Sequence, residues 1–206
     1  VSAAGLPDAD DPRQPASFAF DDAHMAQART FIAKYPAGRQ ASAVIPLLDL
    51  AQRQNGGWLP RVAVPYVADM LGMAEIRVWE VATFYTMFKL HPVGRHLVEV
   101  CTTTPCWLRG SDEIVATCER VLGVKVGETT ADGMFTLAEA ECLGACVNAP
   151  MIQIGDHYYE DLDGAAMERL IEALRRGETP QPGSQTGRSG SEPAGGLTTL
   201  LEAGDD

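Results

Sequence analysis

The chain has 206 residues, 46% of them apolar, and a formal net charge of −12. That balance suits a globular protein with a buried core and argues against nucleic acid, whose binding depends on clustered positive charge. No apolar stretch approaches the ~20 residues of a membrane span, and the acidic N-terminus VSAAGLPDADDPRQP has no basic start or apolar run of a targeting peptide.

Residues 1–20 carry Pro, Asp and Ala without period and read as a loose arm. From Asp21 the pattern turns helical. FDDAHMAQARTFIAKYP offers Asp21 and Asp22 as an N-cap or first-turn acids, and Pro36 as a stop. QASAVIPLLDLAQRQNGG places Val44, Ile45, Leu48 and Ala51 on one face and ends at Asn55-Gly56-Gly57. Pro46 is early enough in it to be tolerated near a first turn. VAVPYVADMLG and AEIRVWEVATFYTMF are two further helices separated by Gly72. Residues 21–90 are therefore expected to form a helical domain.

The period then changes. HLVEVC (96–101) alternates and reads as a strand. SDEIVATCERVLG (111–123) reads as a helix, with Ser111 as its cap and Ile114, Val115, Cys118 and Leu122 as its apolar stripe. GMFTLAEAEC (133–142) and MIQIG (151–155) read as strands, and HYYEDL as a short strand or turn. DGAAMERLIEALRRG (163–177) is a last helix, capped by Asp163 and stopped at Gly177. Strand, helix, strands, helix predicts a small domain with helices on a mixed sheet, so the whole chain reads as α+β. Residues 178–206 are rich in Gly, Pro and Ser and cannot build a core. They are expected to be pinned to a partner, with a self-packed tail as the alternative.

Five cysteines are too few, and too odd in number, for a disulfide scaffold. Four of them form two pairs, Cys101/Cys106 and Cys142/Cys146, each following the end of an expected strand. Loops from neighbouring strands can converge at one sheet edge. Four thiolates repel one another and cost desolvation, so their gathering calls for a cation. Zinc takes four thiolates and favours C-x2-C knuckles. The spacers here hold four and three residues, wider than that, and suit the larger 2Fe–2S rhomb, whose irons take two thiolates each. Zinc, disulfides or plain thiols stay open as alternatives. Gly144 fits a loop that needs positive φ around a cluster, and Thr102, Thr103 and Thr104 offer donors to sulfur.

Other features read as structural. Cys118 lies on an apolar helix stripe and is a small core residue. His157 is conceivable as a ligand, but four cysteines already complete a set. Trp79, Phe84, Tyr85 and Phe88 are a core or an interface, and Glu160, Asp161 and Asp163 a solvated edge with a helix cap. There is no phosphate loop, no G-x-G-x-x-G after a strand and no C-x-x-C. No catalytic set of Ser, His and Asp stands out.

YPAGRQASAVIPLLDLAQRQNGGWLP, VWEVATFYTMF, CTTTPC, ECLGACVNAP and the tail EPAGGLTTL together resemble the small 2Fe–2S subunits of respiratory complex I, NADH:quinone oxidoreductase. The resemblance spans about residues 30–200. It implies an N-terminal helical bundle followed by a thioredoxin-like ferredoxin domain over 91–177. It implies one 2Fe–2S cluster on Cys101, Cys106, Cys142 and Cys146. It further implies two partners, a flavoprotein that carries FMN and the NADH site and a neighbouring multi-cluster iron–sulfur subunit. The setting implied is the peripheral arm, on the cytoplasmic side of a bacterial membrane or the matrix side of a mitochondrial one, without membrane insertion. The role implied is to hold one electron transiently beside a two-electron flavin, as part of an oxidoreductase and without a complete active site. Equivalent subunits occur in NAD-linked hydrogenases and formate dehydrogenases. A zinc-stapled interaction module is the reading from a different class.

Overall fold

A computed structural model describes residues 7–8, 10–193, 195–196 and 198–199. The chain divides into two compact units, Val1–Val93 and Gly94–Asp206.

The first unit is helical: α1 (Asp22–Ala33), a 3-10 turn (Gln40–Ala43), α2 (Val44–Gln54), α3 (Ala63–Leu71) and α4 (Glu75–Phe84). Asp21 caps α1 by accepting the His24 N–H at 2.8 Å. Gly72 ends α3 in the left-handed region that a side chain disfavours, at φ 62°. Leu47, Leu48, Val64, Val67 and Val78 form the core. Residues 10–20, expected to be loose, end on Phe18 and Phe20, which make edge contacts with each other and with Tyr66. Those rings tie the arm to the core. The aromatic run divides. Phe88 is buried and Trp79 packs on the core, but Phe84 is 76% exposed because α4 stops there.

The second unit is built on β1 (His96–Cys101), α5 (Thr104–Leu108), α6 (Ser111–Leu122), β2 (Phe135–Ala140), a 3-10 turn (Cys146–Asn148), β3 (Ile152–Ile154), β4 (His157–Glu160), α7 (Gly164–Arg175) and β5 (Gly183–Ser184). The sheet order is β2-β1-β3-β4-β5. β1 runs parallel to β2 and antiparallel to β3, so the sheet is mixed as expected. Val98, Val100, Leu137, Ile152 and Ile154 share one face through this register and pack with Ile114, Cys118, Met167 and Ile171 of α6 and α7. Alternation sends Cys101, Met151 and Tyr158 to the other face.

Two expectations need correction. Ser111 does not cap α6: Gly110 occupies the cap at φ 97°, and Ser111 is buried within the helix with its hydroxyl unpartnered. The acidic group is not a solvated edge throughout. Asp163 caps α7, but the Asp161 side chain is 13% exposed and pairs with Arg188. The tail over 183–192 packs on its own domain, because β5 extends the sheet beside β4 and Arg188 finds that carboxylate. Of EPAGGLTTL (192–200), residues 194, 197 and 200 lie outside the described residues.

Candidate metal centre

β1 and β2 pair in parallel with Cys101 opposite Ala140, so the loops leaving both strands start from the same sheet end. One loop turns into α5, whose second residue, Pro105, precedes Cys106. The Pro ring is pre-set for a first helical turn and needs no N–H there. The other loop runs through Cys142 and Gly144, whose φ of 88° is open to glycine alone at low cost, to the 3-10 turn opened by Cys146. The Ala149–Pro150 bond that follows is cis.

The sulfurs lie in two pairs that touch each other's fields. Cys142 Sγ and Cys146 Sγ are 3.5 Å apart. The Cys101 and Cys106 thiols influence each other, and Cys101 interacts electrostatically with Cys142 and Cys146. Cys101 and Cys106 are buried, Cys146 half-buried and Cys142 exposed, so the group runs from the protein interior to the surface. Beneath it Ala149 and Met151 form a small apolar floor with Leu143, Ala145 and Tyr158. The Tyr158 hydroxyl donates to the Leu143 carbonyl at 3.0 Å and ties down the Cys142 loop.

Backbone N–H groups point at the sulfurs. Leu143 and Thr103 donate to Cys101, Met151 to Cys106 and Gly144 to Cys142. Burial pushes the Cys101 thiol up, but the Thr103 hydroxyl and the two backbone donors outweigh it and leave it lowered. The Gly144 N–H, followed by the thiol of Cys146, lowers Cys142. Cys106 is pushed up to about 12, by burial and then by its bond to Cys101. Cys146 is raised, first by its bond to Cys142. Donors aimed at sulfur stabilise thiolate and recur around metal–sulfur centres.

Among the described residues, no three His, Cys, Asp or Glu side chains are spaced to hold one metal ion. The sulfurs form two pairs instead of converging on a point. A two-iron cluster, with two thiolates on each iron, fits that division and the all-thiol donor set. Cys118 is apart, on the helix-covered face, its thiol pushed up to about 12 by burial. His157 pairs with Ile154, which in turn pairs with Val98, so it lies toward the opposite end of the strands from Cys101. The reading of the sequence missed Tyr158, whose position on β4 facing away from buried Tyr159 could have marked it. It also missed Asn148 and Arg188, which no local pattern marks.

The family model of thioredoxin-like 2Fe-2S ferredoxins matches residues 28–175. An NADH-quinone oxidoreductase subunit of Rickettsia prowazekii is 62% identical over 156 residues, 76% of this chain and 88% of that protein. The mitochondrial NADH dehydrogenase (ubiquinone) flavoprotein 2 of Dictyostelium discoideum is 49% identical over 193 residues, 94% of this chain and 78% of that protein. Among solved structures, an NAD+-reducing NiFe hydrogenase aligns with a TM-score of 0.55 at 21% identity, over 64% of this chain and 23% of that one, a likeness of fold alone.

Proposed function

Because the chain belongs to the thioredoxin-like 2Fe-2S ferredoxin family, we propose that it is the electron-transfer subunit of an NADH:quinone oxidoreductase, with Cys101, Cys106, Cys142 and Cys146 as the ligands of one 2Fe–2S cluster. The observation that carries the ligand assignment is the meeting of both cysteine pairs at one end of the parallel β1/β2 pair, with backbone N–H groups of other residues on three of the four sulfurs. When bound, such a cluster supplies one-electron transfer.

This chain's residues set the conditions for that chemistry. Thr103, Leu143, Gly144 and Met151 offer hydrogen bonds to sulfur. The apolar floor excludes water from the inner pair, and the outer pair at Cys142 and Cys146 faces solvent or a neighbour. Exposed Trp107, Leu108 and Val147 flank ligand positions and supply apolar surface for a docked electron donor. FMN and NADH belong to the partner.

The chain works within a multi-subunit oxidoreductase. Its partners in our reading are the NADH- and FMN-binding flavoprotein and the neighbouring multi-cluster iron–sulfur subunit. Its setting is the peripheral arm, on the cytoplasmic side of a bacterial membrane or the matrix side of a mitochondrial one. Among the described residues no helix is long and apolar enough to cross a membrane. A hydrogenase setting shares the fold, but the 62% and 49% identities favour the quinone-reducing complex.

The test is a visible absorption spectrum of anaerobically purified chain with iron, sulfide and zinc assayed on the same sample. About two irons and two sulfides per chain, with charge-transfer bands, are expected. A colourless protein with about one zinc per chain and no iron would replace the electron carrier with a structural staple.

A further inference from the structure

Cys146 is only half buried, so its sulfur is placed by the backbone of the Cys146–Asn148 turn more than by packing. That turn is held from outside. The Asn148 carbonyl accepts the Asp161 N–H at 2.8 Å. Asp161 closes β4 at φ 54°, a left-handed position that Asp and Asn tolerate better than most side chains. Its carboxylate receives the Arg188 guanidinium from two nitrogens, Nε at 3.1 Å and Nη2 closer. Arg188 Nη2 also donates to the Val147 carbonyl at 3.1 Å, and Nη1 to the Glu192 carbonyl at 3.0 Å. Asn148, 4% exposed, adds a bond of its own from Nδ2 to the Gly190 carbonyl at 2.7 Å.

These bonds form a closed ring through Val147, Arg188, Asp161 and Asn148. Two of the residues on it directly follow Cys146, and one comes from the tail. The Arg188 side chain is 9% exposed, far less than a surface arginine that merely touches a neighbour. A planar fork with both prongs on one carboxylate and a third bond to a carbonyl is a geometry that Lys cannot copy.

We propose that Arg188 is a positioning residue for the iron–sulfur centre: from the tail it clamps the turn that carries Cys146, and it neutralises Asp161 beside that ligand. The proposal rests on the cluster assignment above. It makes the segment 183–192 part of the centre's supporting structure, although the composition of the tail cannot build a core. It separates two effects that one residue combines. The clamp governs how firmly the metal is retained, and the charge governs its potential.

The test uses the full chain and the variants Arg188→Gln, Arg188→Lys and Asp161→Asn/Arg188→Gln. Decay of the visible bands under an iron chelator gives retention, and an EPR-monitored redox titration gives the potential. Arg188→Gln is expected to lose iron about tenfold faster, as for other partners of metal ligands. It also leaves Asp161 unpaired, so the midpoint shifts negative. In the double variant the charge is balanced again: the midpoint returns toward that of the wild type while iron loss stays fast. Arg188→Lys keeps the charge without the fork, and fast loss with a near-normal midpoint is expected. Wild-type retention and midpoint in folded Arg188→Gln would overturn the proposal, and wild-type retention in Arg188→Lys would overturn the fork. Amide exchange across 146–148 in the iron-free chain distinguishes failure here from failure of the cluster assignment. A wild-type chain that binds no iron sinks the assignment, whereas faster exchange in Arg188→Gln supports the clamp and unchanged exchange refutes it.

Discussion

Thr103 Oγ1 lies 3.4 Å from Cys101 Sγ, and the same hydroxyl reaches Cys142 on the other loop. One side chain thus acts on a sulfur of each pair. Hydrogen bonds to sulfur stabilise the more negative, reduced state of an iron–sulfur centre and raise its potential. Thr103→Val keeps the shape and removes the donor. If the lost bond differs by about 1 kcal/mol between redox states, the midpoint falls by roughly 40 mV. Thr103→Ser restores it. An EPR titration in which Thr103→Val matches the wild type would remove this hydroxyl from the control of potential.

The five cysteines divide into four that meet and one that does not. Cys142→Ser is expected to lose or distort the visible spectrum, since one of four thiolates goes. Cys118→Ser should leave the spectrum intact, at some cost in stability because its thiol is fully buried among Ile114, Leu122 and Met167. Leaving a buried hydroxyl without a partner costs about 1–3 kcal/mol. Absorption spectra and melting curves of the two variants check both halves. A spectrum lost in Cys118→Ser but kept in Cys142→Ser would reverse the assignment.

How far this could be read from the sequence depended on the range of the forces involved. The alternation in HLVEVC and the stripe of Ile114, Cys118 and Leu122 are local patterns, and they placed β1, α6 and the convergence of the cysteine loops. α5 was not foreseen, because its five residues, Cys106 among them, are too few to show a helical period. Ser111 misled for a local reason as well: a glycine able to adopt φ 97° stands directly before it and takes the cap. Composition alone could not place the tail. Few apolar residues do rule out a core, but one arginine and one carboxylate 27 positions apart decide where 183–192 lies. Such a pairing leaves no periodic trace.

Gly94 is a packing requirement at the entry to β1. A Cβ there would stand 2.7 Å from the carbonyl carbon of Phe135 and 2.9 Å from its nitrogen. Both are backbone atoms of the neighbouring strand and cannot swing aside. The Gly94 N–H also donates to Thr136 Oγ1 at 2.6 Å, which fixes the approach. Gly94→Ala is therefore expected to lower stability by about 1–3 kcal/mol. Gly195→Ala, where nothing lies within 4 Å of the added carbon, is the control. Urea unfolding of the iron-free chain compares them, and equal midpoints would show that the strands can part at no cost.

His96, the first residue of β1, stacks on Phe135 with ring centroids 5.3 Å apart. Burial, aided by the charge of Arg95, holds its imidazole below the usual value. The folded chain thus favours neutral His96, while the unfolded chain takes up a proton near the ordinary value of about 6.5. Between that value and the lowered one, the unfolded state binds more protons, so stability rises with pH across the window. The contribution is complete above about pH 6.5 and is lost as pH falls through the window toward the lowered value. His96→Gln removes the titrating group. Melting temperatures at about pH 7.5 and 5.5 should fall further in the wild type than in His96→Gln as the solution is acidified. The same acid sensitivity in both proteins would assign it to other groups, such as carboxylates beginning to titrate, and His96 would be only a packing residue against Phe135.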